Sequence, residues 1–238
     1  MIPIKKNPAH CQMCQSRGQN IFCDLGEDHL KELDAAKTTN RYKRHQIIFY
    51  EGNPPYGLYC ISSGKVKIYK TDTEGHQQIV RLANTGDVIG YRSLLAGGNY
   101  EATAEILEDA EICFIDKKTF LHLLETHPST ATHVMTVLAK DLQKAEKQII
   151  DIAHKNIRER FAELLLVFQA KFGRKTAKGI QLEISLTREE LAEMIGTTQE
   201  SVTRLITEFK QDGLIIAEGR NITLLDIRKL ATTANVPE

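Results

Sequence analysis

Residues 186–205, near the carboxyl terminus, constrain the fold of this 238-residue chain more than any other segment. Their apolar residues fall at helical spacing in two groups on either side of Gly196. Glycine can adopt the positive φ that a tight turn between helices needs, and Thr198 is a favourable N-cap for a following helix. The pattern predicts a helix-turn-helix, in which two short helices cross at a turn. The apolar residues are Leu191, Ala192 and Ile195 before the turn, and Val202, Leu205 and Ile206 after it.

The second of these helices presents polar side chains opposite its apolar residues. In a helix-turn-helix, side chains at the start of the second helix read base edges in the major groove of double-stranded DNA. Glutamate can accept a hydrogen bond from cytosine N4, and arginine can pair with guanine O6 and N7. The alternative is an amphipathic helical hairpin with a solvated, charged face. The residues expected to contact DNA are Arg188, Thr198, Gln199, Glu200, Ser201, Thr203, Arg204 and Arg220.

The charge of the chain offers little support for a nucleic-acid partner. Its formal net charge is zero, and residues 155–238 carry 13 Lys plus Arg against 12 Asp plus Glu. DNA-binding proteins usually have a basic patch. Such a patch must here come from the placement of side chains, with cations facing phosphate and acids facing away. The cations expected to face phosphate are Arg188, Arg204, Lys210 and Arg220.

Residues 41–115 consist of short apolar runs separated by turn signals about 11 residues apart, as in an antiparallel sandwich or barrel. Residues 65–70 alternate between apolar and polar, as a half-buried strand does, and residues 78–82 are compatible with its partner strand. The pattern predicts a small β-roll. The turn signals are Glu51-Gly52, Ser62-Ser63-Gly64, Glu74-Gly75, Thr85-Gly86-Asp87 and Gly97-Gly98.

Apolar residues recur at helical spacing from Val134 to Ile152, with charged residues off the stripe. Such a stripe on a long helix commonly packs against a copy of itself, although a helix packed only on its own β-roll is the alternative. A homodimer also suits a helix-turn-helix, because paired units read two half-sites related by a two-fold axis. The predicted dimer seam is Val134, Leu138, Leu142, Ala145, Ile149 and Ile152.

The remaining sequence completes a winged helix. It predicts a helix over 157–172, a basic loop over 173–179 and a strand over 180–185. After the helix-turn-helix, two apolar runs flank Glu218-Gly219-Arg220 and predict a hairpin, the wing, whose tip can contact backbone phosphates.

The amino terminus has no signal-peptide pattern, and no apolar run approaches the roughly 20 residues of a membrane span. The sequence therefore predicts a cytoplasmic protein with no membrane partner. Its five cysteines are then expected to be thiols or metal ligands and not a disulfide framework. Cys11, Cys14 and Cys23 are spaced C-x2-C-x8-C, and soft sulfur donors suit an iron–sulfur cluster or zinc, both of which favour four ligands.

The order of a β-roll, a long helix and a winged helix-turn-helix resembles the Crp/Fnr family of bacterial transcription regulators. The resemblance implies a sequence-specific regulator that binds double-stranded DNA as a homodimer, with RNA polymerase as a further partner. It implies that Glu200 and Arg204 read the C and G of a TGA-type half-site and that Thr203 contacts thymine. Because Gln199 stands where the Crp branch has a base-reading arginine, TTGA-like half-sites in an inverted repeat are expected. The stretches that carry the resemblance are Gly57–Tyr69, Gly86–Gly90 and Gly196–Leu205.

The best-known effector of this family, cAMP, is held by a Gly-Glu pair and an Arg-Ser pair. In this sequence the glutamate position is Tyr91, and the Arg-Ser position is Glu101-Ala102. A desolvated carboxylate facing a phosphate is repulsive by on the order of several kcal/mol, so cAMP is not expected to bind. Arg92 could hold another anion, or it could be solvated or locally paired. The residues expected around this effector pocket are Gly90, Tyr91, Arg92, Ser93 and Glu101.

In the oxygen-sensing Fnr branch, three amino-terminal cysteines join a fourth on the β-roll to hold a [4Fe–4S] cluster. The resemblance places Cys113 at the fourth position and implies a cluster site of Cys11, Cys14, Cys23 and Cys113. The gap between the second and third cysteines is longer here than is typical of that branch. Zinc, a labile thiol switch and cysteines without a ligand role remain alternatives. Cys60 is expected to be a small buried apolar residue.

The expected function is a regulator that responds to a redox, oxygen or small-molecule signal. A haem-based gas sensor and a ligand-independent regulator on the same scaffold remain alternatives. A cupin-type metalloenzyme is less favoured, because His45, His76 and His122 are scattered without a His-x-His pair, so no enzyme is expected. The expected fold is α+β, with a cysteine-containing segment (1–30), a jelly-roll, cyclic-nucleotide-binding-like β-roll sensor domain (31–130), a dimerisation helix (131–156) and a winged helix-turn-helix DNA-binding domain (157–238).

Overall fold

A computed structural model of the protein describes Cys11, Cys14 and residues 20–235. The other residues of the predicted segment 1–30 lie outside the described residues. The chain divides into two compact units, Met1–Asp141 and Leu142–Glu238, which meet within one long helix. None of the helices in the described part of the chain has both the length and the apolar character needed to cross a membrane.

The first unit is the expected antiparallel β-roll, with helices before and after it. Its strands are β1 (Thr38–Tyr42), β2 (Ile47–Phe49), β3 (Gly57–Thr71), β4 (Gln77–Asn84), β5 (Val88–Ile89) and β6 (Thr103–Asp116). Its helices are α1 (Glu27–Ala36), α2 (Tyr91–Ala96), α3 (Lys117–Thr126) and the first part of α4 (Pro128–His154). The strands form one sheet in the order β1-β6-β3-β4, with β2 paired to β6 and β5 paired to β3.

The predicted pairing of residues 65–70 with 78–82 is confirmed, because β3 and β4 are antiparallel neighbours with Lys67 opposite Leu82. The predicted turn at Ser62–Gly64 is wrong. These residues lie inside β3, where the register against β6 shifts. Gly64 has a φ of 96°, and an added Cβ would lie 2.6 Å from the Cβ of Ala110. Glycine therefore permits a bulge in a long strand at this position, not a chain reversal.

Residues 20–25, which follow Cys11 and Cys14 in the sequence, are held in place by the hydrophobic core. Ile21, Phe22 and Leu25 are buried in a cluster that also includes residues of α1, α3 and α4. Phe22 contacts Phe120 of α3 edge to face, with ring centroids 6.4 Å apart. This packing holds residues 20–25 against the helices at the end of the β-roll.

The two ends of the predicted seam on α4 differ in their surroundings. Val134 is buried, and Leu138 packs against the same core cluster, so this part of the stripe covers the β-roll of its own chain. Ala145 is exposed, and so are Leu142, Ile149 and Ile152, at 61%, 68% and 55%. The seam therefore contains one segment that is already packed and one that is not.

The second unit is a winged helix-turn-helix. Its helices are α5 (Ile157–Phe172), α6 (Arg188–Ile195), α7 (Gln199–Gln211) and α8 (Ile227–Thr233), and its strands are β7 (Gly173–Thr176), β8 (Gly179–Leu182), β9 (Ile215–Glu218) and β10 (Asn221–Leu224). The sheet order is β7-β8-β10-β9. The predicted loop over 173–179 is wrong for its first four residues, which form β7. All four are exposed on an edge strand, so they show none of the apolar alternation that marks a strand in the sequence. The predicted strand over 180–185 ends earlier, at Leu182.

Candidate DNA-binding surface and cysteine site

Helix α6 begins and ends with well-defined caps. The Thr187 hydroxyl accepts a hydrogen bond from the Glu190 N–H at 3.0 Å, and the Glu190 carboxylate accepts one from the Thr187 N–H at 2.7 Å. This reciprocal pair satisfies two N–H groups that the helix itself leaves unpaired. The helix ends at Gly196, whose φ of 66° places it in the left-handed region. The predicted glycine turn between the two helices is therefore confirmed.

Helix α7 has one buried and one exposed face, as predicted. Val202, Leu205 and Ile206 are buried, and Phe209 packs against Phe161 of α5 with ring centroids 5.2 Å apart. The Thr198 hydroxyl caps the helix by accepting from the Ser201 N–H at 3.3 Å. Ser201 is half-buried, whereas the other predicted base-reading side chains are exposed. These are Gln199, Glu200, Thr203 and Arg204.

The position of α7 also depends on Arg158, which the sequence did not single out. Its guanidinium donates to Glu208 at 2.8 Å and to Asp212 at 2.5 Å, both near the end of α7. It also lies 4.9 Å from the centre of the Phe209 ring. An arginine in the first turn of α5 gives no sequence signal for this role, because its partners are 50 and 54 residues away.

Glu200 is suited to accept hydrogen bonds from bases. Its own backbone N–H and the Thr198 side chain hold the pKa of this carboxyl below its usual value, and the charge of Arg204 adds to the effect. The side chain is therefore ionised at neutral pH. An ionised carboxylate is an acceptor only, as pairing with cytosine N4 requires.

The wing is tied to the helix-turn-helix by Arg188. Its guanidinium donates to the carbonyl oxygen of Gly219 at 2.9 Å, in the turn between β9 and β10. Glu218 and Asn221 face each other across this two-residue turn, and Arg220 is exposed at its tip. The start of α6 and the tip of the wing thus lie next to each other, with a cation on each.

Four cysteines line a single cavity in the first unit, between the amino-terminal segment, α1 and the β-roll. They are Cys11, Cys14, Cys60 and Cys113. Cys60 and Cys113 face each other across β3 and β6. No disulfide joins any of the five cysteines of the chain, all of which the structure describes. Four thiols at one cavity match the donor set of a [4Fe–4S] cluster, and equally that of zinc.

An ion pair joins Asp34, on α1, to Lys37, which follows α1 and lines the cavity. The Lys37 ammonium lies 2.7 Å from Asp34 and donates to the Cys11 sulfur at 3.2 Å. Asp34 also accepts from the backbone N–H of Cys11 at 2.8 Å. These contacts fix Cys11 over the β-roll, and the lysine places a positive charge next to a sulfur.

Burial raises the pKa of three of the cavity thiols, those of Cys11, Cys60 and Cys113, and so favours their protonated form. It raises the pKa of Cys11 to about 12, in spite of the hydrogen bond from Lys37. Burial also raises the pKa of Cys113 and, most strongly, of Cys60, where the nearby thiols of Cys113, Cys11 and Cys14 add to the effect. Metal ions bind thiolates, so loading this cavity must release protons.

Of the predicted cluster ligands, the structure brings three together and separates the fourth. Cys23 lies elsewhere, with its sulfur 3.5 Å from Asp24 Oδ1 and 3.5 Å from His133 Nε2. Cys60 lines the cavity in its stead. The sequence did not point to Cys60, because one cysteine in a strand resembles any small apolar residue. The signal lies in the strand register that sets it opposite Cys113.

The residues of the predicted effector pocket do not converge on one point. The buried Tyr91 donates its hydroxyl to Asp141 of α4 at 3.1 Å, and Arg92 donates to the same oxygen at 2.5 Å. Gly90 caps α2 with a φ of 86°, and Ser93 is buried in that helix. Glu101 is exposed and lies 3.2 Å from Lys70. Arg92 is therefore locally paired, which was the alternative to an anion-binding role.

Comparisons with known proteins match both units. The family described as "Cyclic nucleotide-binding domain" matches residues 39–127, and "Crp-like helix-turn-helix domain" matches residues 159–233. Electron transport regulator A of Shewanella oneidensis is 27% identical over 222 residues, which are 93% of this chain and 88% of that protein. The fumarate and nitrate reduction regulatory protein of Escherichia coli is 26% identical over 226 residues, 94% of this chain and 90% of that protein.

Among solved structures, a CRP/FNR-family transcriptional regulator from Thermus thermophilus is 25% identical, with a TM-score of 0.70 over 84% of this chain and all of the other. The two family matches lie in the same order as the β-roll and the winged helix, and together they span most of the chain. With a helix-turn-helix whose polar face is exposed, the chain belongs to the Crp/Fnr family of transcription regulators and is not an enzyme.

Proposed function

We propose that this regulator binds, as a homodimer, an inverted DNA repeat with TTGA-like half-sites, and that a redox signal sensed in the first unit controls its affinity. The observation that supports the DNA part best is the exposed start of α7. There the ionised Glu200 and Arg204 lie one helical turn apart on a helix whose other face is buried. They are the side chains suited to cytosine and guanine.

The dimer proposal is supported by the carboxyl-terminal part of α4. Leu142, Ile149 and Ile152 are exposed at helical spacing, and a contiguous apolar stripe of this kind is costly to leave in water. A second copy of the same helix would cover it. The two copies of α7, related by the resulting two-fold axis, can then enter successive major grooves about 34 Å apart. We further propose the cytoplasm as the compartment and RNA polymerase as the protein partner.

The sensor proposal is supported by the four-cysteine cavity. We propose that Cys11, Cys14, Cys60 and Cys113 hold a [4Fe–4S] cluster, which would supply a group that oxidants alter. Cys23 was the fourth ligand implied by the family resemblance, but its sulfur contacts Asp24 and His133. A cyclic nucleotide is not proposed, because Tyr91 and Arg92 are engaged with Asp141.

The DNA proposal is tested by selecting bound sequences from random duplexes. The wild-type protein should enrich an inverted repeat of TTGA-like half-sites. Arg204→Ala should remove the preference for guanine, a loss of about 1–3 kcal/mol in discrimination. Arg228→Ala is the matched control, since this exposed arginine lies on α8 and not on α7. Selection of the same motif by Arg204→Ala would contradict the assignment of α7.

The sensor proposal is tested by the absorbance of protein purified without air, together with its iron and sulfide content. A broad brown absorbance that is lost in air, with iron and sulfide bound, supports the cluster. A Soret band would instead identify haem, and a colourless protein without iron would exclude both groups.

A further inference from the structure

We propose that Cys23, Asp24 and His133 form a second metal site, separate from the four-cysteine cavity, that takes a divalent ion of the zinc class. The ligands come from two distant parts of the chain. Cys23 and Asp24 lie in the turn before α1, and His133 lies in the second turn of α4. One sulfur, one ring nitrogen and one carboxylate oxygen lie within 4.8 Å of one another.

The separations between these atoms fit a tetrahedral ion. With zinc–ligand distances near 2.3 Å for sulfur and 2.0–2.1 Å for nitrogen and oxygen, tetrahedral geometry gives edges of about 3.6 Å for S···N and about 3.3 Å for N···O. The Cys23 sulfur lies 3.6 Å from His133 Nδ1, and the same nitrogen lies 3.1 Å from Asp24 Oδ2. Two of the three edges are therefore close to those of a tetrahedral ion, and all three ligand atoms lie within 4.8 Å of one another.

The site is held in place from both sides by the hydrophobic core. Phe22 and Leu25 flank Cys23 and Asp24 in the sequence and are buried, and Val134, next to His133, is buried in the same cluster. The backbone that carries the ligands is therefore fixed, whereas the ligands themselves face outward. The side chains of His133 and Asp24 are 38% and 57% exposed, so an ion can reach them.

The donor set favours one class of ion. Sulfur and imidazole together select borderline-soft ions such as Zn²⁺ over Mg²⁺ or Ca²⁺, which prefer oxygen. Three protein ligands leave a fourth position for water, so the ion should exchange more readily than one enclosed by four thiolates. In the absence of metal, the hydrogen bonds of Asp24 to Cys23 and His133 hold the same groups together.

A bound ion would link residues 20–25 to α4, the helix that carries the exposed stripe. Because an ion that binds only the folded state raises its stability by mass action, zinc should raise the melting temperature. This link does not depend on a cluster in the cavity. It can therefore be tested whether or not the sensor proposal holds.

The test uses full-length, reduced, metal-free protein titrated with Co²⁺ and then back-titrated with Zn²⁺. The variants are His133→Ala and Asp24→Asn, with His154→Ala as an exposed histidine control on the same helix. We expect His133→Ala to lose one bound ion per chain, with its thiolate-to-cobalt absorbance, or to bind that ion at least about tenfold more weakly. Asp24→Asn should weaken the same site, and His154→Ala should behave as wild type.

A second variant separates this site from the cavity. Cys60→Ser should still bind the ion that His133→Ala loses. It should also keep the share of the zinc-induced rise in melting temperature that His133→Ala loses. An unchanged ion count and affinity in His133→Ala would overturn the proposal. So would cluster assembly that requires Cys23 but not Cys60, because Cys23 would then be a ligand of the cavity. A wild-type protein that assembles no cluster would contradict only the sensor proposal.

Discussion

At the scale of single residues, the helix-turn-helix depends on a few positions whose chemistry leaves little choice. Thr187 and Glu190 cap α6 reciprocally, and Gly196 ends it in a left-handed conformation. Most side chains are strained in that conformation, by roughly 1–2 kcal/mol per residue, whereas asparagine tolerates it. The angle at which α7 leaves the turn therefore rests on one glycine.

Two substitutions at Gly196 should distinguish the cost of a strained backbone from the cost of adding any side chain at this position. We expect Gly196→Val to lower the free energy of unfolding of the winged-helix unit by more than about 1 kcal/mol, because a β-branched residue is disfavoured at positive φ. Gly196→Asn should cost less. Urea unfolding followed by circular dichroism measures both, and equal stabilities for the two variants would argue against strain at this turn.

At the scale of elements, the apolar residues of α4 form one stripe in the sequence, but the two parts of that stripe have different surroundings in the structure. Its first turns pack into the core of the β-roll through Val134, and Asp141 accepts hydrogen bonds from Tyr91 and Arg92 of α2. Beyond Asp141 the apolar residues are exposed. One helix thus carries both the contacts with the β-roll and the proposed dimer face.

A charge in the exposed part of the stripe should dissociate the dimer. In a two-fold interface Ile149→Glu would place two carboxylates near each other and remove two buried isoleucines. We expect sedimentation to show a monomer and DNA affinity to fall with it. Lys140→Glu, on the same helix but off the stripe, is the control and should remain a dimer. A dimeric Ile149→Glu would show that another surface holds the two copies together.

The contact between α2 and α4 should depend on pH. Burial alone would raise the pKa of Asp141, but the hydrogen bond from Arg92 and the charges of Arg81 and Arg92 hold it below its ordinary value of 3.8. A carboxyl whose pKa is lower in the folded state stabilises the fold at neutral pH, and this contribution is lost as the pH falls through the folded pKa.

We therefore expect Asp141→Asn to destabilise the β-roll unit at pH 7 and to flatten its loss of stability below about pH 4. Thermal unfolding across this pH range measures the effect, with Glu125→Gln as a control, because that carboxylate is exposed on α3. Parallel pH profiles for wild type and Asp141→Asn would rule out a stabilising role for this carboxylate.

At the scale of the whole molecule, a chain with no net charge must bind a polyanion through the placement of its cations. Arg188, Arg204 and Arg220 lie on the start of α6, on α7 and at the wing tip of one unit, whereas acids such as Glu208 and Asp212 face Arg158 of α5. We propose that this local placement of cations takes the part of an overall positive charge.

The salt dependence of binding should report this placement. Each phosphate contact contributes a slope of about −0.9 to the plot of log K against log salt concentration. We expect Arg220→Ala to weaken binding equally for all sequences and to reduce the slope by about 1 for each wing that contacts phosphate. Fluorescence anisotropy at several salt concentrations measures it. An unchanged slope would place the wing tip away from the DNA backbone.

The sequence by itself determined the local features of this protein. Helix period, caps and turn glycines act between residues a few positions apart, so the helix-turn-helix around Gly196, the pairing of β3 with β4 and the stripe on α4 could be predicted. A short edge strand such as β7 could not be predicted, because all its side chains are exposed and show no apolar alternation.

Tertiary structure alone decided which distant residues meet. Cys60 faces Cys113 only because β3 and β6 pair in one register, and Cys23 meets His133, 110 positions away, only because Phe22 and Leu25 are buried beside α4. The same burial divides the stripe of α4 into a packed and an exposed part. These contacts depend on how elements pack, and packing is a property of the folded chain that no short window of sequence contains.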